Sequence, residues 1–145
     1  MLKTRLLQPE MLDALARSGH FSQVLLADGN YPFISKSHPD TRRVFLNLAP
    51  GITRTTDVLS VLLDTVPVQS ALMMEIPNGA VAPIVGEYRS LLPAGVEIEY
   101  AERQEFYRRV ALPATSLLVA TGETRRFANI LLTLGVVKLE KSETY

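Results

Sequence analysis

The sequence predicts a layered α/β domain: one three-layer unit with a mostly parallel central sheet of about six strands and helices on both faces. Three observations carry this expectation. Short apolar runs of strand length alternate with segments whose apolar residues recur at helical spacing. Stretches rich in Gly, Pro, Asn and Asp separate several of them. The chain has 145 residues, 47% of them hydrophobic, which is enough for one core and too little for two ordinary ones. Residues 1–145 therefore read as a single domain, with no internal repeat, low-complexity segment or linker.

The elements follow in order. "QPEMLDALARSG" reads as a helix: Pro9 suits the first turn, Met11, Leu12, Leu15 and Ala16 form an apolar stripe, and Gly19 offers a left-handed end. "QVLLAD" is a short buried strand. "GNYPFISKSHPD" is turn-rich and reads as a loop, and "RVFLNL" is a second strand. "TTDVLSVLLDTVP" carries a Thr cap, an early Asp and apolar residues Val58, Leu59, Leu62, Leu63 and Val66 at helical spacing, with Pro67 as a stop. "SALMMEI" is a third strand. "VAPIVGEYRSLLPAG" is a helix with Ile84, Val85, Tyr88, Leu91 and Leu92 on one side. The alternating "VEIEY" is a fourth strand and "ERQEFYRRVAL" a fourth helix. "SLLVATG" and "NILLTLGVV" complete the sheet, and the polar "KLEKSETY" is an end that frays.

Composition removes several function classes. Lys plus Arg and Asp plus Glu both count 15, so the formal charge is zero and nothing general attracts nucleic acid or an acidic membrane. Without cysteine there are no disulfides, thiolate metal sites or cysteine nucleophiles. No apolar stretch has signal or membrane-spanning length, so the expected location is cytoplasmic. There is no Walker A run, GxGxxG, HExxH or GxSxG. No cofactor is expected.

The informative stretch is "RSGHFSQVLLADGNYP". In open α/β sheets ligands bind beyond the carboxyl ends of strands, and Asp28 stands at such an end. His20 stands just before the same strand. A straight strand rising about 3.3 Å per residue puts the two at opposite ends. Either the chain folds back sharply near Gly19, or a site using both is shared between subunits. Residue type alone leaves plainer roles open: His20 as a surface group at a helix end, Asp28 as a turn former.

Arg103 shares a helix face with Phe106 and Tyr107, in a first turn where the dipole disfavours a cation. It calls for an anionic or polyhydroxylic partner, or else pairs with Glu102 or Glu105 at the surface. Asn129, between Ala128 and Ile130, offers both donor and acceptors to a sugar hydroxyl, or satisfies nearby backbone at a strand edge. His38, before Pro39 in a turn-rich loop, reads as a surface residue, and "APGITRTT" as a helix cap rather than an anion site.

Together "MLKT…L…PE…ALA..GH", "ADGNYP", "RQEFY" and "TGE…FANILL..GV" resemble the ribose pyranase and fucose mutarotase family over most of the chain, most specifically at its two ends. The resemblance is nearer to the fucose branch. It implies a sugar mutarotase, an isomerase that interconverts the α and β anomers of a free monosaccharide, most simply L-fucose or a related sugar. It implies His20 as proton donor, Asp28 as a sugar contact, Arg103 as the fucose-type arginine ahead of Phe106, and Phe127, Ala128 and Asn129 as the terminal sugar-binding motif. Two departures stand out. The family's tyrosine hydroxyl is missing at Phe127, and Asn30 stands where fucose-type members often have histidine. The resemblance further implies a homo-oligomer, commonly a decameric ring with sites at subunit interfaces. The alternatives are a non-catalytic monosaccharide-binding or regulatory subunit of a sugar uptake or catabolic system, and a small nucleotide-binding domain.

Overall fold

A computed structural model of the chain describes residues 1–142 and 144. Four helices and six strands appear in the order the periodicity predicts: α1 (Pro9–Ala16), β1 (Gln23–Ala27), β2 (Arg42–Phe45), α2 (Thr55–Leu63), β3 (Val68–Met74), α3 (Ile84–Leu91), β4 (Ile98–Ala101), α4 (Arg103–Val110), β5 (Thr115–Ala120) and β6 (Ile130–Leu134). One sheet holds all six strands in the order β2-β5-β1-β6-β3-β4. The pairs β1–β5, β2–β5 and β3–β4 are parallel. β6 runs antiparallel to both its neighbours, β1 and β3.

The reversed direction of β6 has a topological cause, and it builds the site. A parallel return needs a crossover of a dozen or more residues, and residues 121–129 supply no helix for one. The connection instead passes over the carboxyl end of β1, and β6 comes back down β1's far side. It is tied there by the Gly29 N–H donating to the Glu123 carbonyl at 2.9 Å.

Alternation along the strands sorts the core into two layers. Val24, Leu26, Val119 and Ile130 face α1, α2 and α3, through Met11, Leu59, Leu62, Ile84 and Tyr88. Leu25, Ala27, Leu118 and Leu131 face α4, through Phe106 and Val110. The predicted three-layer arrangement is therefore present, with three helices on one face and one on the other. Under that single helix the 28–41 loop tucks in the ring of Tyr31, which is buried.

Two local expectations are corrected. α1 closes on Arg17 in a right-handed conformation, and the left-handed residue that follows is Phe21 (φ 69°) rather than Gly19. The N-cap of α2 is Arg54, whose backbone N–H donates to Asp57 Oδ2 at 3.1 Å. Thr55 turns inward instead, fully buried, because Glu123 waits there for its hydroxyl at 3.1 Å.

Candidate functional site

A cavity of about 380 Å³ opens at the carboxyl ends of β1 and β3 on the α4 side of the sheet. Its volume falls within the roughly 300–1,000 Å³ of small-molecule sites. Asp28, Asn30, Tyr31, Met74, Arg103, Tyr107, Arg126, Phe127 and Asn129 line it. Four of the six residues singled out from sequence thus meet in one hollow: Asp28, Arg103, Phe127 and Asn129. Ala128 lies directly behind its wall and is fully buried.

Asp28 is held by the turn it begins. Its Oδ1 accepts the Asn30 N–H at 3.0 Å, and its Oδ2 faces the Ala128 N–H at 3.4 Å. Only 3% of it is exposed. Burial pushes its carboxyl above the ordinary aspartate value, and the N–H donors of Asn30, Ala128 and Tyr31 oppose that shift. A carboxyl moved upward exchanges its proton nearer to neutrality. The Asp28 N–H in turn donates to Asn129 Oδ1 at 2.7 Å. Asn129 therefore satisfies buried backbone, as one of its two sequence readings required, and lines the cavity as well.

Phe127 has a left-handed backbone (φ 58°), uncommon for an aromatic residue. The hydrogen bonds around it hold that conformation. The Ala128 carbonyl accepts from the Tyr88 hydroxyl at 2.5 Å, and the same hydroxyl lies 2.8 Å from Thr55 Oγ1. Thr55 donates to Glu123, and Glu123 chelates Arg125 through both oxygens, at 2.9 and 3.0 Å. Arg125 also pairs with Glu87. A polar chain therefore runs under the cavity from α3 and α2 to the 121–129 loop. Burial of Tyr88 pushes its phenol above the ordinary tyrosine value.

Gly122 is required here. A Cβ at this position would collide with the carbonyl oxygens of Ala49 and Ile52, so the "TGE" run packs backbone directly on backbone.

Arg103 is the first residue of α4. The two glutamates that sequence offered as its partners are engaged elsewhere. Glu102 accepts the Gln104 and Glu105 N–H groups at the helix start, and Glu105 forms a bidentate pair with Arg108 at 2.7 Å. Arg103 is left facing the cavity.

His20 lies elsewhere in this subunit. It precedes β1, is exposed, stacks on Phe21 at 3.7 Å between ring centroids, and has Nε2 3.0 Å from Gln69 Oε1. β1 itself spans about 17 Å at the usual rise, so within one chain His20 and Asp28 share no cavity. The sharp fold-back near Gly19 does not occur. His38 sits in its loop with Nδ1 accepting the Asp40 N–H at 3.1 Å, away from the cavity lining.

Sequence reasoning missed two of the cavity's polar residues. Tyr107 stands one helical turn from Arg103, where its apolar pattern signals only a partly buried face. The i, i+4 spacing was the available signal. Its ring meets Tyr31 edge-on at 5.6 Å. Tyr31 gives its hydroxyl to the Lys36 carbonyl at 2.8 Å, whereas no such bond engages the Tyr107 hydroxyl among the described residues. Arg126, with its guanidinium carbon 5.7 Å from the Phe127 ring centroid, carried no periodic signal.

Residues 1–137 match the RbsD / FucU transport protein family. The chain is 38% identical over 144 residues to fucose mutarotase of Homo sapiens, covering 92% of each. It is 34% identical over 141 residues to D-ribose pyranase of Variovorax paradoxus, covering 94% of this chain and 98% of that one. A fucose mutarotase of Streptococcus pneumoniae, solved in complex with L-fucose, superposes with a TM-score of 0.79 at 29% identity, over 94% of this chain and 100% of that one. Bacillus subtilis RbsD, solved with D-ribose, has the same fold, with a TM-score of 0.79 at 24% identity over 95% and 100%. A match running from the first residue to the last strand, joined to relatives well above 30% identical, leaves one assignment: the chain belongs to the RbsD/FucU family.

Proposed function

We propose that the protein is a sugar mutarotase, an isomerase that interconverts the α and β anomers of a free monosaccharide, with L-fucose or a related sugar as its first substrate. The observation that carries this reading is the convergence of Asp28, Arg103 and Asn129 on one sugar-sized cavity in a chain of this family. The ring opens when the ring oxygen gains a proton, the anomeric hydroxyl loses one, and the bond between anomeric carbon and ring oxygen breaks. The aldehyde rotates and closes by the reverse steps. Asp28, its carboxyl raised by burial, is placed to fix hydroxyls or carry a proton. Arg103 and Asn129 hold the remaining hydroxyls, and Phe127 and Met74 wall off the C–H face. Tyr107 offers the cavity a phenol hydroxyl that Phe127 cannot.

His20 completes the site from a neighbouring subunit in this reading. Histidine is the side chain most often used as a general acid–base in catalysis, and general acid–base help of this kind contributes about 10²–10⁴-fold. Exposed apolar residues support an assembly: Phe21, next to His20 in the chain, and Val136 and Val137, which follow β6. A decameric ring is the assembly we propose. The reading includes a cytoplasmic location, supported by the cysteine-free composition. No helix among the described residues is long and apolar enough to cross a membrane.

A second reading, a monosaccharide-binding or regulatory subunit without catalysis, is favoured by one observation: Phe127 has no hydroxyl. Anomer exchange of L-fucose, followed by saturation-transfer NMR, decides between the two. A mutarotase accelerates exchange in proportion to its concentration. A binder perturbs the sugar signals saturably and leaves exchange at the solvent rate.

A further inference from the structure

The mouth of the cavity holds more positive charge than a neutral sugar calls for. Two guanidinium groups, Arg103 and Arg126, line it, and Asp28 is the one carboxylate among its lining residues. The acids around it are already engaged. Glu105 binds Arg108, Glu102 caps α4, and Glu123 and Glu87 both bind Arg125. The Asp28 oxygens face the N–H groups of Asn30 and Ala128. Neither Arg103 nor Arg126 makes an ion pair among the described residues. The chain as a whole has zero formal charge, so the excess is local to this mouth. Arg126 also stands at the Phe127 ring, the wall against which a sugar's apolar face would rest.

We propose that Arg126 extends the substrate class to monosaccharides bearing an anionic group, a carboxylate or a phosphate, on a carbon remote from the anomeric one. The guanidinium fork matches both anions. The anomeric hydroxyl must stay free for the ring to open, which excludes 1-phosphates and places the anion at the far end of the sugar. This inference rests on the mutarotase reading of the same cavity.

The test compares sugars that share stereochemistry and differ in charge. Anomer exchange is measured on the full-length protein for D-galacturonate against D-galactose, and for D-glucose 6-phosphate against D-glucose, with L-fucose as reference. The expected result is a kcat/KM at least tenfold higher for the charged member of one pair at low salt. Which pair responds identifies the carboxylate or the phosphate as the group recognised. Added salt should raise KM for the charged sugar alone. Arg126→Gln should bring the charged-to-neutral ratio down tenfold or more, and Arg126→Lys should recover part of it. Arg126 is exposed, so its variants should keep the wild-type melting temperature. Accelerated L-fucose exchange with no preference for either charged sugar, or a preference that Arg126→Gln leaves intact, overturns the inference and spares the mutarotase reading. Exchange of no sugar at all overturns both.

Discussion

Asp28 and Asn129 are bound to each other across most of the chain: the Asp28 N–H donates to Asn129 Oδ1 at 2.7 Å, joining the end of β1 to the start of β6. The contact closes the loop that passes over β1. It also places two different functional groups on one cavity wall, so here the fold and the site depend on the same bond.

Asn129→Ala leaves the buried Asp28 N–H without an acceptor. An unsatisfied buried donor costs about 1–3 kcal/mol, so the variant should melt at lower temperature and lose most of its anomer exchange. Asn129→Asp keeps the acceptor but sets a second carboxylate beside Asp28, which should recover stability incompletely at neutral pH and better in acid. Urea midpoints for the two variants at two pH values give the answer. An Ala variant as stable as wild type would show that the tie is dispensable.

Glu123 gives the fold an acid-sensitive element. Burial by itself would push its carboxyl up, but the hydrogen bonds and charge of Arg125, with the Thr55 hydroxyl, outweigh burial and hold it at about 2 against an ordinary 4.5. The folded value lies below the unfolded one. The stabilisation is therefore fully present above about pH 4.5 and is lost as pH falls toward 2. Glu123→Gln should be less stable than wild type at neutral pH and should lack this part of the acid decline. Denaturant midpoints measured through that window test it, and parallel curves for the two proteins would exclude Glu123 as the source.

Most of the fold was legible in the sequence because it rests on periodicity. The stripe Val58–Leu62 and the run Val24–Ala27 bury the residues their spacing selects. In α1, by contrast, Met11 and Leu15 are buried as expected but Leu12 is half-buried, Ala16 is exposed and Ala14 is buried in its place, because the inward face centres on 11, 14 and 15. The direction of β6 was not, because a strand's apolar pattern is the same read either way. It is the absence of a helix between β5 and β6 that fixes it. Asp28 and Asn129 were legible as turn and strand-edge residues. Their meeting depends on a pairing 101 residues apart, which local spacing does not encode. Tyr88 carried a helical-stripe signal that hid its hydroxyl's link to Ala128.

Tyr107 is the subject of a further test. Its ring meets Tyr31 edge-on and the residue lines the cavity, so Tyr107→Phe keeps the packing and removes only the hydroxyl. If this hydroxyl takes part in ring opening, kcat should fall tenfold or more while KM for L-fucose changes little. If it only binds the sugar, KM should rise with kcat preserved. Loss of neither parameter would leave the phenol without a part in the reaction.

The separation of His20 from Asp28 leads to a subunit-mixing experiment. His20→Ala should abolish anomer exchange while leaving the assembly intact, since His20 is exposed and, among the described residues, its ring forms one hydrogen bond, with Gln69, and stacks on Phe21. Asp28→Asn should also inactivate. In a mixed oligomer, a site built from two chains can draw its His20 from one variant and its Asp28 from the other. Equal, random mixing makes about a quarter of such shared sites whole, so activity should return to that order when the two inactive proteins are unfolded and reassembled together. Each variant refolded alone should stay silent. A site contained in one subunit never regains both groups by mixing, so silence of a properly assembled mixture would confine catalysis to residues of a single chain and remove His20 from the mechanism.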